Sequence, residues 1–292
     1  MNLHKQCINC NSAEIVPYKR YYNKGIVKCK NCGLLFMEKN PSIEELDAYY
    51  GTYTYNREEY VSPITVKSYG KLLDEFEKYR KTNKILDVGC GRGWFLVEAK
   101  KRGWEVFGTE YGDTAVNLCL SEGIAMKKGK LNPADFDAKS FDIITSFEVL
   151  EHITNHNEEL SNIYTLLRNG GLFYCTTPNF NALLRYKYKE NDRIIGYPEH
   201  LTYFTSKTLS KIVTQNGFSK KKIITTGISF QQIANIQTNI QTNVNPSLAV
   251  DESVRQKIDQ HTFFKFIKYI ANKIFTLTNT GVTLKGYFVK LT

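Results

Sequence analysis

The stretch Lys84-Ile85-Leu86-Asp87-Val88-Gly89-Cys90-Gly91-Arg92-Gly93 decides the fold of this chain. Ile85 and Leu86, followed by an acid at Asp87, predict a buried strand that is about to end. The alternating glycines predict a turn in which a ligand touches the backbone, and residues 94–100 predict a helix that follows it. A strand, a glycine-rich turn and a helix in this order predict a nucleotide-type binding loop.

The spacing of the glycines argues against a nicotinamide cofactor. The dinucleotide fingerprint places its third glycine three residues after the second, whereas Gly89, Gly91 and Gly93 alternate. An acid at the strand end suits a ligand with a cationic head and no phosphates, because phosphates are bound by helix N-termini. S-adenosylmethionine (SAM) is such a ligand, and we predict it as the cofactor. The alternative is an ordinary glycine-rich turn of an α/β protein.

Two further segments strengthen the SAM prediction. Residues 105–110 form a second strand that ends on Glu110, where doubly wound folds place the carboxylate that binds a ribose diol. Residues 140–153 form a strand that runs into titratable side chains, including His152. With these motifs, D-x-G-C-G-x-G at 87–93 and E-V-L-E-H at 148–152, the chain resembles the small-molecule branch of the class I SAM-dependent methyltransferases. For cofactor binding we predict Asp87, Gly89, Cys90, Gly91, Glu110, Tyr111 and Phe147.

The predicted fold class is α/β. Strands and helices alternate over residues 83–177, which predicts a parallel, doubly wound sheet. The resemblance implies a Rossmann-like seven-stranded sheet, closed by an antiparallel pair at 221–227 and 283–291. We predict three parts: a zinc ribbon at 1–45, a Tyr-rich helical lid or linker at 46–82, and a methyltransferase domain at 83–292 with insertions near 180–205 and 231–282.

The N-terminal cysteines have the spacing of a zinc ribbon. Cys7 and Cys10 form one C-x2-C knuckle, and Cys29 and Cys32 form the other. Two knuckles joined by a β-hairpin bring four thiolates into a tetrahedron. Such a site has no open position, so the predicted Zn²⁺ is structural. The alternative is four reduced cysteines that fall into this pattern by chance.

The loop that contains Tyr197, Glu199 and His200 is the predicted source of the catalytic base. Histidine is the side chain best suited to accept a proton at neutral pH, and Glu199 could orient it or hold a second hydroxyl. The alternative is a histidine that hydrogen-bonds to a helix start. The Tyr-x-Glu-His run resembles a pattern of zinc-ribbon sugar methyltransferases, in which the region before the nucleotide fold is a lid. We therefore predict catalytic roles for His200, His152, Glu199 and Tyr197.

Composition limits the class of partner. The formal charge is +10 and the basic residues are spread along the chain, which favours a basic composition over a nucleic-acid interface. Seven cysteines without an export signal predict thiols or metal ligands in a cytoplasmic protein. The basic amphipathic stretch 263–275 could contact a membrane surface, but packing on its own domain is favoured.

The sequence thus predicts SAM-dependent methyl transfer to a small, hydroxyl-bearing acceptor. The resemblance implies a nucleotide-linked or glycan sugar, as in surface polysaccharide biosynthesis. Two alternatives stay open: an rRNA base methyltransferase, and a SAM-binding partner subunit without activity. The adenine contact is also open, because 129–131 lacks the usual acid and either backbone or Asp135 could replace it.

Overall fold

A seven-stranded mixed sheet forms the centre of the protein. The structure, a computed structural model, describes residues 2–51, 61–192, 194–228 and 261–291. Within these residues the strands are β1 (Ile15–Pro17), β2 (Ile26–Cys29), β3 (Leu35–Met37), β4 (Lys84–Val88), β5 (Glu105–Glu110), β6 (Ala125–Lys128), β7 (Phe141–Phe147), β8 (Leu167–Pro178), β9 (Thr202–Tyr203), β10 (Phe218–Thr226) and β11 (Thr283–Lys290).

The helices of the described residues alternate with these strands. They are α1 (Ile43–Gly51), α2 (Pro63–Phe76), α3 (Trp94–Lys101), α4 (Asp113–Ser121), α5 (His156–Leu166), α6 (Arg185–Tyr188), α7 (Ser206–Gln215) and α8 (Thr262–Thr278). Several start at the caps that the sequence supplies. Ser62 caps α2 in front of a proline, and Thr205 caps α7 in a capping box with Thr208.

The order of the large sheet is β10-β11-β8-β7-β4-β5-β6. Neighbouring strands from β8 to β6 are parallel, and β11 is antiparallel to both of its neighbours. The prediction of a Rossmann-like seven-stranded α/β sheet, closed by an antiparallel pair, is confirmed. Because β4 and β7 are adjacent and parallel, their carboxyl ends bring the glycine loop and the Glu148–His152 region to one edge.

Both faces of the sheet are covered. One apolar cluster joins one face to α2 and α3, with Leu73, Phe76 and Phe95 among its buried members. The other face packs on α5 and α7, and this second cluster also contains ribbon residues such as Cys7, Cys29 and Phe36. The ribbon therefore shares a core with the large domain and is not an appendage on a linker.

A second sheet links the N-terminal ribbon to the insertion near 180–205. Its order is β1-β2-β3-β9, and β9 belongs to the insertion. The backbone N–H of Met37 also donates to the carbonyl of Leu201, at 2.9 Å. Tyr21, Ile26, Phe180 and Tyr203 fill a small core between the two segments. The loop that carries His200 is thus built into the edge of the ribbon.

The packing of α8 differs from the sequence expectation. The apolar stripe of this helix was expected to pack on its own domain, but no residue of α8 is buried. Large apolar side chains of the helix are instead exposed to solvent. The expectation of stripe packing is wrong because the polar side of the helix makes the contacts, as described below.

The Tyr-rich segment is only partly described. Tyr49 lies half-buried in α1, whereas Tyr53, Tyr55 and Tyr60 lie outside the described residues. The insertion near 231–282 is described only from residue 261.

A buried ion pair fixes the start of the sheet. Asp142, with a fully buried side chain, accepts hydrogen bonds from the backbone N–H groups of Lys81, Thr82 and Asn83 at 2.7–2.8 Å. Its other oxygen accepts a hydrogen bond from Arg168 of β8. One carboxylate therefore holds together the segment before β4, strand β7 and strand β8.

We predict that Asp142→Ala lowers the free energy of unfolding by about 3–5 kcal/mol, because the buried Arg168 guanidinium loses its carboxylate partner and keeps only the carbonyls of Tyr79 and Asn169. Urea unfolding followed by circular dichroism measures this loss. The matched control is Asp74→Ala, which breaks the exposed ion pair with Arg102 and should cost less than about 1 kcal/mol. Equal losses in the two variants would contradict the role assigned to Asp142.

Candidate active site

The glycine loop after β4 forms one wall of a cleft at the carboxyl edge of the sheet. Gly89 has a φ of +68°, and a Cβ atom there would lie 2.7 Å from a methyl group of Val149. Gly91 has a φ of +53°, and a Cβ there would meet no atom within 4 Å. The first glycine is required by packing, and the second leaves open space next to the backbone. This space suits a ligand that approaches the main chain closely.

Asp87 lies beneath this loop and is 2% exposed. The hydroxyl of Thr145 donates to one of its carboxylate oxygens at 2.7 Å. Burial raises the pKa of the Asp87 carboxyl to about 7, and the nearby Glu110 charge acts in the same direction, while the Thr145 hydrogen bond opposes them. A cationic group bound at the loop would favour the ionised carboxylate. The acid is therefore suited to the positively charged end of SAM.

Glu110 lies at the end of β5 beside the same loop. Its carboxylate accepts hydrogen bonds from the backbone N–H groups of Tyr111 and Gly112 at 2.7 and 3.0 Å, and from Gly91 at 3.1 Å. Three donors fix the orientation of the carboxylate at the start of α4. The position agrees with its predicted role toward a ribose.

The side chains of the other predicted cofactor residues differ in exposure and in packing. The Cys90 thiol lies 4.0 Å from the sulfur of Cys119, so this side chain packs toward α4. A ligand at the glycine loop would therefore meet the backbone of Cys90 and not its thiol. Tyr111 is 68% exposed and its ring is available for stacking. Phe147 ends β7 and packs edge-on against Phe95, with ring centroids 5.0 Å apart.

The open question of the adenine contact is narrowed by the structure. Asp135 lines a depression together with Lys84 and Ser140, which lie at the amino ends of β4 and β7. That edge is opposite to the glycine loop, so Asp135 is not placed to bind adenine there. Gly129 lies at the correct edge, where its N–H donates to the carbonyl of Glu110. A backbone contact to adenine stays a prediction.

Two histidines from distant parts of the chain meet beside the loop. The ring centroids of His152 and His200 are 5.0 Å apart. Nδ1 of His152 lies 2.7 Å from the carbonyl of Glu199, and Nδ1 of His200 lies 2.8 Å from the carbonyl of Ile194. A carbonyl only accepts, so each Nδ1 donates and each neutral ring carries its lone pair on Nε2. Burial and the neighbouring His200 lower the pKa of His152, which keeps this ring neutral at neutral pH.

The predicted partners of His200 have other contacts. The carbonyl of Ile194 orients the His200 ring, so the Glu199 carboxylate does not serve as the orienting group considered in the sequence analysis. Glu199 reaches His152 through its backbone. The hydroxyl of Tyr197 donates to Glu45 of α1 at 2.9 Å, and Lys39 lies over the Tyr197 ring. Tyr197 therefore ties the loop to the N-terminal part of the chain.

Glu151 is a further acid of the E-V-L-E-H motif, and it lies next to His152. It is 2% exposed, and neither carboxylate oxygen has a hydrogen-bond partner among the described residues. Burial, followed by the charge of Glu148, raises the pKa of Glu151 well above its ordinary value, which favours the protonated acid. One of its oxygens lies 3.8 Å from Nε2 of His152.

Glu148 is the second unassigned acid. It follows β7 with a φ of +53° in the left-handed region, which is costly for a residue other than glycine. Such strain is typical of functional sites. Its position in the E-V-L-E-H motif was the available signal, whereas the strained backbone could not be read from the sequence.

The four N-terminal cysteines converge as the spacing predicts. The sulfur atoms of Cys7, Cys10, Cys29 and Cys32 all lie within 4.8 Å of one another. The Cys7–Cys32 and Cys10–Cys29 sulfur distances are 3.4 and 3.6 Å. A tetrahedral metal with Zn–S bonds of about 2.3 Å requires sulfur atoms about 3.8 Å apart. The donor set and its geometry therefore fit a four-thiolate metal site.

Solved methyltransferase structures have a fold similar to that of this chain. Over much of its length the chain resembles solved methyltransferase structures: a SAM-dependent methyltransferase from Archaeoglobus fulgidus (TM-score 0.53, 19% identity, 78% of this chain and 93% of that one) and phosphoethanolamine N-methyltransferase 2 from Haemonchus contortus in complex with SAM (TM-score 0.51, 16% identity, 88% and 62%). At these identities the likeness shows the fold alone.

Residues 55–222, more than half of the chain, match a family model described as a methyltransferase domain. The chain therefore belongs to this methyltransferase family, and the sequence prediction of a SAM-dependent methyltransferase is confirmed at that level. Curated relatives include the ubiquinone biosynthesis O-methyltransferases of Saccharophagus degradans (31% identical over 105 residues) and Nitrosococcus oceani (32% over 103 residues). These matches cover 34% and 33% of this chain, and the chain spans 44% of each relative.

We predict that SAM affinity falls as the pH drops below about 7. Asp87 must be ionised to face a cation, and its raised pKa means that a proton has to leave before SAM binds, at a cost of up to tenfold in affinity per pH unit. Thr145→Val removes the hydrogen bond that lowers this pKa, so the decline should begin at a higher pH. Calorimetric titration with SAM between pH 5.5 and 7.5 measures both effects.

Thr145→Ser is the matched control, since it keeps the donor and should follow the wild-type pH profile. Comparing the two variants at each pH also cancels the titration of SAM itself. Identical profiles for Thr145→Val and Thr145→Ser would show that Asp87 does not control binding.

Proposed function

We propose that this protein transfers the methyl group of SAM to a hydroxyl group of a small acceptor. The observation that carries the proposal is the pair of imidazoles, His152 and His200, beside the glycine loop. Each ring is oriented by a backbone carbonyl and has its Nε2 lone pair left to accept a proton. The names of the curated relatives, which describe transfer to oxygen, support the same class of reaction.

The reaction makes few demands on the protein beyond placement and proton removal. The sulfonium methyl of SAM is already electrophilic, so the chain has to align the acceptor oxygen with it and accept the hydroxyl proton. His200 is the proposed base, and His152 is the group that holds the hydroxyl. Burial raises the pKa of Glu151, and in its protonated form this acid can donate a hydrogen bond without adding a charge to the site.

A sugar is the acceptor class that we propose within this reaction. Two carboxylates lie close to the histidines in the chain: Glu148 directly follows β7, and Glu199 precedes His200 and contacts His152 through its carbonyl. Carboxylates and imidazoles provide several hydrogen-bond acceptors, which fits a ligand with several hydroxyl groups. The resemblance to zinc-ribbon sugar methyltransferases points the same way, toward a nucleotide-linked or glycan sugar of a surface polysaccharide.

Release of S-adenosylhomocysteine tests the proposal directly. The purified full chain is offered SAM with nucleotide sugars, free glycans, simple phenols or rRNA. Turnover with a sugar supports the proposal, turnover with a phenol keeps the reaction and replaces the acceptor class, and turnover with rRNA supports the rival RNA methyltransferase. SAM binding without turnover on any acceptor would favour the partner-subunit alternative.

We predict that His200→Ala leaves SAM affinity nearly unchanged and lowers turnover by roughly 10²–10⁴, the usual contribution of a positioned general base. The cofactor contacts lie on other segments, so binding and chemistry should separate. His200→Gln should be nearly as inactive, because an amide can hold a hydroxyl but does not accept its proton. Calorimetry and a coupled S-adenosylhomocysteine assay provide the two readouts.

His261→Ala is the matched control, because this histidine is exposed at the start of α8. It should have wild-type turnover. If His200→Ala remains active while His152→Ala does not, the base is His152 and the 197–200 loop has a shaping role.

We also propose that the four N-terminal cysteines bind one structural Zn²⁺. The sulfur distances support this proposal, as does the N–H of Cys32, which lies 3.4 Å from the sulfur of Cys29, because metal-bound thiolates commonly accept such hydrogen bonds. All four positions would be filled by protein, so the ion would have no part in the chemistry. Its task would be to hold the ribbon, and through β9 the His200 loop.

Cys29→Ser should therefore release the metal and lower thermal stability, since ribbons without metal lose much of their folding free energy. Because the ribbon supports the His200 loop, we also expect turnover to fall more than SAM affinity. Metal content by mass spectrometry and melting temperature are the measurements, and Cys175→Ser, at a buried cysteine of β8, is the control for loss of a thiol alone. Full zinc content in Cys29→Ser would refute the assignment.

A further inference from the structure

Helix α8 (Thr262–Thr278) is attached to the protein by its polar side. Asn272 accepts a hydrogen bond from the N–H of Gly227 at 2.9 Å. The hydroxyl of Thr276 donates to the carbonyl of Thr225 at 2.9 Å, and the hydroxyl of Thr225 donates to the carbonyl of Phe275 at 2.6 Å. These contacts fix the helix along the end of the edge strand β10. Amphipathic helices of globular proteins ordinarily turn the opposite side inward.

The apolar side of α8 consequently faces away from the protein. Its exposed side chains recur every three or four residues and so form one stripe along the helix. The stripe consists of Phe263 (69% exposed), Phe266 (59%), Ile267 (46%), Ile270 (41%), Ile274 (54%) and Leu277 (83%). Exposed apolar side chains grouped in this way mark an interaction surface.

We propose that this stripe binds the surface of an anionic lipid bilayer. Helix α8 has no Asp or Glu. Lys273 is exposed at the edge of the stripe, and Lys265 is exposed on the polar side of the helix. An amphipathic helix with lysines next to aromatic and aliphatic residues has the composition of helices that lie in the membrane interface. The proposal concerns a surface away from the cleft and does not depend on the identity of the acceptor.

A basic depression at the end of the helix adds further positive charge near the stripe. Asn279, the residue after α8, lines it together with Lys207, Lys211 and Lys220. Lysines within reach of a bilayer surface are attracted to anionic headgroups. The apolar stripe thus ends beside a cluster of positive charge, as expected for a surface that binds acidic lipids.

The positive charge of the protein also favours a bilayer over a second copy of the chain as the partner of the stripe. A symmetric dimer through α8 would bring the lysines of both helices together, on a protein whose formal charge is already +10. An anionic bilayer instead compensates these charges. None of the described helices has the length and apolar content needed to cross a membrane, which agrees with a helix that lies on the surface.

Vesicle flotation with the full chain tests the proposal. The vesicles contain either phosphatidylcholine alone or phosphatidylcholine with about 30% phosphatidylglycerol, a fraction of the order found in anionic leaflets. We expect binding to the anionic vesicles at least tenfold stronger than to the neutral ones, and weaker at high salt. The triple variant Phe263→Ser, Phe266→Ser and Leu277→Ser should lose at least tenfold in binding. Each of Lys265→Gln and Lys273→Gln should lose about fivefold.

The control is a triple variant at exposed apolar positions elsewhere, Tyr22→Ser, Leu118→Ser and Leu120→Ser, which should bind vesicles as the wild type does. SAM affinity of every variant reports that the fold is intact. The proposal is overturned if the wild-type chain does not float with anionic vesicles or if the two triple variants lose binding equally. It is also overturned if sedimentation velocity shows a wild-type dimer that the α8 variant abolishes while vesicle binding is absent.

Discussion

The backbone of Leu201 connects the two halves of the candidate active site. Its N–H donates to the carbonyl of Glu151 at 2.8 Å, and its carbonyl accepts from the N–H of Met37 at 2.9 Å. The first bond ties the His200 loop to the end of β7, and the second ties it to the ribbon strand β3. Its side chain is 3% exposed, so water does not compete for the position. His200 comes directly before this residue, and its distance from His152 follows from these two bonds.

This connection makes the ribbon a support for the His200 loop. Its cysteines belong to the same apolar cluster as Phe204 and Leu209, which follow the His200 loop. A tetrahedral metal centre would fix the knuckles, the knuckles would fix β2 and β3, and β3 pairs with β9. A change at the N-terminus can therefore reach His200, the proposed base, without passing through the glycine loop. This arrangement explains why a small metal module would be part of a methyltransferase rather than a separate binding unit.

Two buried acids define the electrostatics of the candidate site. Asp87 and Glu151 are both buried acids with raised pKa values, but their surroundings differ. Asp87 lies under the loop, where a bound cation would favour its ionised form, whereas Glu151 lies beside His152, whose pKa is lowered by burial. Burial therefore raises the pKa of both acids, and their different neighbours are what distinguish them.

The sequence by itself determined the elements whose signals are local. The strand, turn and helix around 84–100, the acid at Glu110 and the two cysteine knuckles follow from short-range patterns, because hydrophobic periodicity and the backbone demands of glycine act over a few residues. Only the tertiary structure decided which distant residues meet. It placed His200 beside His152, put Asp135 at the wrong edge for adenine, and gave the orienting role to the carbonyl of Ile194 rather than to Glu199. The tertiary structure also turned the polar side of α8 inward. Periodicity identifies an apolar stripe but not the partner that covers it, and hydrogen bonds from Thr225 and Gly227 fixed which side of the helix faces the protein.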